Sequence, residues 1–413
     1  MNIIQDVNDL ALPRLAAVSL GERLATMPAV VLTGARQTGK STLAQDRALA
    51  PRRYSTFDDL EVSRTARRDP DALVGGDAPV TLDEVQREPE ILRAVKRAID
   101  RRRRSGQFLL TGSANLLLMS QVSESLAGRA AYLTLWPMTR REQHGLGSAG
   151  LWDRLLSSRE EEWLDLLAAE PDLPEDWKTL ALRGGFPTPA LHLRTARERT
   201  IWFDGYVRTY LERDLRSLST LSGLPDFRRL MQASCLRLGQ LLNQTELGRD
   251  VALPQPTAHR YLNLLETSYM LIRLPAYAVN RTKRLVKSPK LYWSDTGLAL
   301  HLAGEETPRG AHLENLVLHD LCVWRDARLE AAELFTWRTT LGEEVDLVVE
   351  AGGRLLPIEV KSSGRPSLGD ARHLRTFRRE YGERSRAGLL LHTGRRLEWI
   401  APDVLAAPWW KVL

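Results

Sequence analysis

The sequence predicts an α/β protein of several domains, built around a parallel sheet with helices on both faces near the N-terminus. Three observations carry this. Short apolar segments alternate with helical ones from about residue 29 to about residue 137, the rhythm of βαβ units. A glycine-bearing loop, Gly34 to Ser41, joins the first strand segment to the first helical one. Strand signals vanish between about residues 140 and 222, give one hairpin before residue 304 and form a series beyond about residue 308, so a second α/β unit lies toward the C-terminus.

Length and composition agree. A chain of 413 residues is too long for one ordinary domain, and 43% hydrophobic with 27% charged residues excludes a largely disordered one. No apolar run approaches the roughly 18–20 residues of a bilayer span. The opening MNIIQDVNDLALPRL lacks the basic and apolar regions of a signal peptide, so the expectation is a cytoplasmic chain with no membrane partner. Cys235 and Cys322 cannot build a disulfide framework, and neither has a Cys or His at zinc spacing. The net charge of +6 is compatible with nucleic-acid binding without establishing it.

In chain order, Ala29–Thr33 is a buried strand, and a helix runs from the loop to about Leu49. Arg53–Phe57 and Pro79–Leu82 are the second and third strands, then a helix over Pro89–Arg103. Gln107–Thr111 is a fourth strand, Ala114 to Leu126 a helix, and Ala131–Leu135 a fifth strand closed by Trp136-Pro137. Charged helical stretches then run to Ser222, broken at Gly184-Gly185-Phe186-Pro187. Asp226–Gly304 holds short helices and a hairpin. The rest opens with an apolar helix from Gly310 and continues with strands at Val345–Glu350, Leu355–Val360 and Gly388–His392. The predicted domains are therefore 1–140, 141–222, 223–308 and 309–413.

Gly34-Ala35-Arg36-Gln37-Thr38-Gly39-Lys40-Ser41, with Thr42 behind it, matches GxxxxGK[ST] between a strand and a helix. The glycines let backbone N–H groups wrap phosphates, and the helix start adds its dipole. Lys40 is expected on the β and γ phosphates and Ser41 on Mg²⁺. In Val80-Thr81-Leu82-Asp83-Glu84, the strand delivers Asp83 toward that metal, and Glu84 is placed to polarise an attacking water. ATP and Mg²⁺ are the implied ligands. At the fourth strand's tip, Ser113 and Asn115 are candidates for the γ-phosphate or the water, although Ser113 could equally cap a helix. Arg129, just before the fifth strand, is either a residue reaching a neighbouring subunit's nucleotide or a solvated helix-end arginine.

With these residues in place, Gly34 to Pro137 resembles the core of an AAA+ ATPase. The longer series GARQTGKST, LDEVQ, TGSAN, LAGR, WPMTRRE, GGFP and YVRTYLERDL (Tyr206–Leu215) is similar to a bacterial and archaeal AAA+ family with a C-terminal domain of unknown function. That resemblance covers essentially the whole chain. It implies an ATP-hydrolysing, homo-oligomeric protein in which Glu142 and the 183–216 region form a helical lid. Arg183 is one arginine that could meet the γ-phosphate.

In the middle domain, Leu241–Val251 with Thr245 as N-cap, a turn at Leu253-Pro254-Gln255, a helix through Thr257–Met270 and a hairpin resemble a winged helix-turn-helix. Thr257, His259 and Arg260 open the recognition helix. Asn280–Lys290, with Lys283, Lys287 and Lys290, could track a DNA backbone as the wing. The other reading is a protein-interaction module with a solvated basic edge.

In the last domain, Asp346 lies on one strand, and Glu359 and Lys361 share a face of the next. Glu314 comes from the preceding helix. This resembles a PD-(D/E)XK restriction-endonuclease-like core, which implies metal ligation by Glu314, Asp346 and Glu359 (Mg²⁺ or Mn²⁺) with Lys361 near a scissile phosphate. The plainer reading is surface charge on a hairpin. The leading expectation is thus an ATP-driven protein acting on DNA. The alternative is a nucleotide-dependent switch or protein-remodelling module that regulates an unidentified protein partner, with a non-cleaving C-terminal domain.

Overall fold

The computed structural model describes residues 12–46, 49, 51–112, 126–211, 223–280, 282, 284 and 287–413. The N-terminal sheet contains β1 (Ala29–Thr33), β2 (Arg53–Thr56), β3 (Val80–Asp83), β4 (Phe108–Thr111) and β5 (Ala130–Thr134). They lie in the order β2–β3–β4–β1–β5, and every neighbouring pair is parallel. β1, β3 and β4 are buried along their whole length, which is why they read as unbroken apolar runs. The helix Ile91–Arg101 turns Ile91, Leu92, Ala94, Val95 and Ile99 into one buried stripe against Val31, Leu82 and Leu110 of the sheet. All five strands fall within a residue of their sequence-based positions. The helix after the loop is shorter than expected: it runs Lys40–Ala44, and Leu49 sits in a bend. The expected helix from Ala114 to Leu126 lies outside the described residues, apart from its end.

The helical stretch after β5 divides between two cores. Trp152, Trp163 and Trp177 are buried with Leu321, Trp324, Leu389 and Trp409, so this part covers the C-terminal sheet. Phe186, Phe203 and Tyr206 instead share a core with Ala35 of the phosphate loop. Three tryptophans are enough to explain the first attachment: burying each large side chain contributes on the order of 1.5–3 kcal/mol or more.

The middle unit has helices Leu224–Leu236, Gln244–Asp250 and Gln255–Thr267, then β6 (Leu271–Leu274) antiparallel to β7 (Lys290–Trp293). Asn243, rather than Thr245, caps the second helix, accepting from the Glu246 amide at 3.1 Å. The third helix starts at Gln255 with Pro256 in its first turn, two residues before the expected start. Among the described residues, the start of the connection between β6 and β7 is held against the C-terminal sheet rather than projecting as a free wing. Ala276 bridges Thr336 of the C-terminal sheet, and Tyr277 is buried edge-on to Phe335 and Tyr381.

The C-terminal sheet has β8 (Ala332–Arg338), β9 (Glu344–Ala351), β10 (Arg354–Lys361), β11 (Gly388–His392), β12 (Glu398–Ala401) and β13 (Val404–Pro408). Their order is β12–β13–β11–β10–β9–β8; β8, β9 and β10 run antiparallel, and β10, β11 and β13 parallel. The helix Gly310–Ala327 packs with Leu347, Val349, Leu356 and Ile358 on one face. The helix Arg372–Tyr381 packs with Val345, Val348, Leu355 and Leu390 on the other. No described helix is long and apolar enough to cross a membrane.

Candidate functional site

The phosphate loop leaves the carboxyl end of β1, between β4 and β5. Gly34 has φ +137°, and a Cβ there would lie 2.2 Å from the Leu135 carbonyl oxygen, so only glycine fits. Gly39 adopts φ 94° at the start of the helix, and Gln37 is left-handed at φ 59°. Lys40 is buried and donates to the Gly34 and Ala35 carbonyls at 3.1 and 2.6 Å. The Thr38 hydroxyl donates to Ala35 O at 3.0 Å, while Arg36 and Gln37 stand at the open side. Ser41 is half-buried and Thr42 exposed at the mouth.

Asp83, at the tip of β3, is the acceptor around which the site is built. Ser41 donates to its Oδ1 at 3.1 Å and Tyr54 to its Oδ2 at 2.7 Å, and the Thr111 hydroxyl also donates to Oδ1. Burial, and then the hydrogen bond to Asp83, push the Tyr54 phenol above its ordinary range, so it remains a donor. Strand order explains the set. β4 lies between β3 and β1, so Thr111 stands between the acid and the loop. Glu84 comes next in the chain in a left-handed conformation, φ 58° and ψ 42°. Its backbone amide donates to Thr111 Oγ1 at 3.3 Å, and the Gln86 side-chain amide donates to its carboxylate. A non-glycine residue held there carries strain of order 1–3 kcal/mol, which the surrounding contacts must offset.

The residues present fit a magnesium nucleotide: a glycine-lined cradle, a buried lysine, and a hydroxyl and carboxylate already paired. Sequence reasoning missed several residues. The sequence points to Ser113 and Asn115, which lie outside the described residues, rather than to Thr111, whose place as the last residue of an apolar strand is the available signal. Tyr54 depends on strand adjacency. Arg14 braces the loop from the N-terminal side, donating to Thr38 O and Trp136 O at 2.7 Å each and pairing with buried Glu142 at 3.0 Å. From the other side Tyr206 donates to Arg36 O at 3.3 Å, and Tyr269 shares a 2.9 Å hydrogen bond with Thr33 at the end of β1.

Arg129 lies at the opposite end of β5 from the loop, roughly 16 Å along a five-residue strand. It bonds Asp100 at 2.7 Å. Arg183 bonds Glu175 at 2.9 Å and Gln143 at 2.8 Å, which ties it within the helical stretch.

In the middle unit, His259 and Arg260 are exposed on the third helix, and Lys287 is exposed. Lys290, expected as a wing cation, is not available: its side chain is 5% exposed and points into the C-terminal domain. Arg284 is turned inward too, pairing with Glu350 at 2.7 Å and lying 4.5 Å from the centres of the Tyr277 and Phe335 rings. Arg284 and Lys290 are thus turned away from solvent, whereas Lys283 lies outside the described residues.

Lys290 enters the acidic group expected to hold metal. Its ammonium lies 3.1 Å from Glu314, 2.5 Å from Glu344 and 3.5 Å from Asp346. Burial alone would push this amine down, but Glu314, Asp346 and Glu344 together hold it above its ordinary range. Asp346 Oδ2 accepts from the Val360 amide at 2.9 Å, Lys361 bonds Glu359 at 2.7 Å, and the Tyr292 hydroxyl donates to Glu314. Burial, then the charge on Asp346, push Glu359 up to about 8 and Glu314 up to about 7. The expected residues thus gather, with Lys290 and Glu344 added. Among the described residues, no group of three or more His, Cys, Asp or Glu side chains is arranged to hold a metal ion.

Residues 26–144 match a family model described as an AAA domain. Residues 174–309 and 309–412 match two models described as domains of unknown function, DUF8612 and DUF4143. The chain is 34% identical over 364 residues to Rv2008c of Mycobacterium tuberculosis and, equally, to Mb2031c of Mycobacterium bovis, both described only as uncharacterized proteins; each match covers 86% of this chain and 74% of the relative. An uncharacterized protein of Haemophilus influenzae is 22% identical over 264 residues, 61% of this chain and 58% of its own. Among solved structures, the Walker-type ATPase PABY2304 of Pyrococcus abyssi aligns over 72% of this chain and 97% of its own, with 17% identity and a TM-score of 0.44.

Proposed function

This chain belongs to the family of the mycobacterial proteins Rv2008c and Mb2031c and carries an AAA domain, and from that premise we propose that it binds ATP with Mg²⁺, hydrolyses it, and couples turnover to action on DNA. The observation that carries the nucleotide reading is the Asp83 junction: one carboxylate joins Ser41 of the loop, Thr111 and Tyr54. Lys40 and the loop amides hold the phosphates. Ser41 and Asp83 would hold Mg²⁺, which when bound neutralises charge on the phosphate oxygens. Glu84 orients the attacking water and accepts its proton, with Thr111 fixing the backbone that carries it. Turnover reaches the rest of the chain through Tyr206 and Tyr269, which touch the loop and β1 from the helical stretch and the middle unit.

The DNA reading rests on the third helix of the middle unit, with exposed His259 and Arg260 beside half-buried Thr257, together with exposed Lys287. The nuclease-like reading of the C-terminal domain rests on Glu314, Asp346, Glu359 and Lys361. A second reading, a nucleotide-dependent switch with a non-cleaving C-terminal domain, is favoured by Lys290 standing among those carboxylates. The test is steady-state ATP turnover with and without single-stranded and duplex DNA. Lys40→Ala should lose nucleotide binding. Glu84→Gln should bind ATP and lose turnover by roughly 10²–10⁴. Normal turnover by Glu84→Gln would reject its role, and turnover indifferent to every DNA would leave the switch as the better reading.

A further inference from the structure

The C-terminal acidic cluster does not fit a divalent cation in this chain, because a covalently attached cation already occupies it. An ammonium carries three N–H donors, and Lys290 meets three carboxylates, those of Glu314, Glu344 and Asp346. The other oxygen of Asp346 is engaged by the Val360 amide, and Lys361 pairs with Glu359 Oε1, while Glu359 Oε2 is buried without a hydrogen-bond partner. A metal ion entering here would compete with Lys290 for Glu314, Glu344 and Asp346, and would sit beside a fixed positive charge.

The lysine is held from behind as firmly as in front. Within β7 it pairs with Leu274 of β6, and it bridges Leu241 on its other side. The Leu291 amide donates to Gln240 O at 3.0 Å, and the Leu242 amide to Pro289 O at 2.8 Å. Where the middle unit meets the helix carrying Glu314, a Cβ on Gly239 would lie 3.0 Å from Ala311 Cβ. Backbone and packing therefore place Lys290 in the middle unit, and only its side chain crosses into the C-terminal domain.

We propose that Lys290 is the resident cation of this cluster, so that the C-terminal domain acts as a charge-matched seat for the middle unit rather than as a metal-dependent phosphodiester-cleaving centre. Arg284, bonded to Glu350 from the same connection, is the second contact of this seat. The seat is independent of the nucleotide reading, because its test uses the full chain without nucleotide. Thermal unfolding and Mn²⁺ binding by electron paramagnetic resonance are measured on wild type, Lys290→Met and Asp346→Asn at millimolar Mg²⁺ or Mn²⁺. In wild type, neither ion should raise Tm through the cluster, so Asp346→Asn should leave the metal response unchanged. Lys290→Met should lower Tm by several degrees and acquire one Mn²⁺ site whose occupancy restores it. A wild-type Tm that rises with Mn²⁺ and stops rising in Asp346→Asn would overturn the proposal, as would a Lys290→Met protein of unchanged Tm with no new site. If Lys290→Met does not fold, Lys290→Met combined with Glu314→Gln and Glu344→Gln should fold without metal; its failure to do so would remove charge neutralisation as the lysine's role.

Discussion

Asp83 and Asp346 are both strand carboxylates expected to face a divalent cation, yet their surroundings differ in kind. Asp83 is met by three hydroxyls, those of Ser41, Tyr54 and Thr111. Hydroxyls are neutral and can turn to accept as well as donate, so an ion entering there meets no cation among the groups bonded to Asp83. Asp346 is met by an ammonium that donates only and that two other carboxylates also hold. The same residue type thus marks an exchangeable position at one end of the chain and a fixed one at the other, and the difference lies in the partners.

The largest effect that would sharpen this contrast concerns where each region obtains its basic residue. The C-terminal cluster takes Lys290 from the same chain. The nucleotide site has Lys40, whereas Arg129 lies at the far end of β5 and bonds Asp100; we propose that it serves the nucleotide of another copy. Arg129→Ala should then lower ATP turnover by roughly 10³–10⁵. Mixing it with the equally inactive Lys40→Ala protein should restore activity, while Asp100→Asn, which frees the guanidinium from its present partner, should not reduce it. Full turnover by Arg129→Ala would place both regions on the same, self-contained footing.

A smaller effect is expected at Thr111. Its hydroxyl joins Asp83 to the Glu84 amide, and hydrogen bonds to charged groups contribute about 1.5–3 kcal/mol. Thr111→Val should slow turnover by roughly ten- to a hundred-fold, and Thr111→Ser should recover most of it. Equal rates for the valine and serine proteins would show that the hydroxyl is not part of the site.

The smallest effect is a pH dependence confined to the C-terminal region. Burial first, and then the charge on Asp346, raise Glu359 from 4.5 to about 8. Between those values the folded carboxyl binds more protons than the unfolded one, so this group's contribution is complete below pH 4.5 and is lost as pH rises toward 8. Tm should fall over that interval in wild type and fall less in Glu359→Gln, with about 2–4 °C for each kcal/mol in a domain of 150–250 residues. Parallel curves for the two proteins would remove Glu359 as the source.

The sequence alone determined the N-terminal strands, because each is an apolar run buried on both faces, and it determined the phosphate loop, because only glycine tolerates the backbone at Gly34. Asp83 and Glu84 were legible for a related reason: a buried strand in a parallel sheet carries the polar residues at its carboxyl tip to the edge where phosphates bind. The strands β8, β12 and β13 escaped because their residues lack a distinctive alternation. Only the tertiary structure decided that Thr111 rather than a later residue stands beside Asp83, since that depends on β4 lying between β3 and β1. It alone decided the fate of the basic stretch before β7. Local sequence makes Lys283, Lys287 and Lys290 look alike as wing lysines. Lys290 instead lies where β7 meets the helix carrying Glu314, and burial there is tolerable for an ammonium because three carboxylates converge on it.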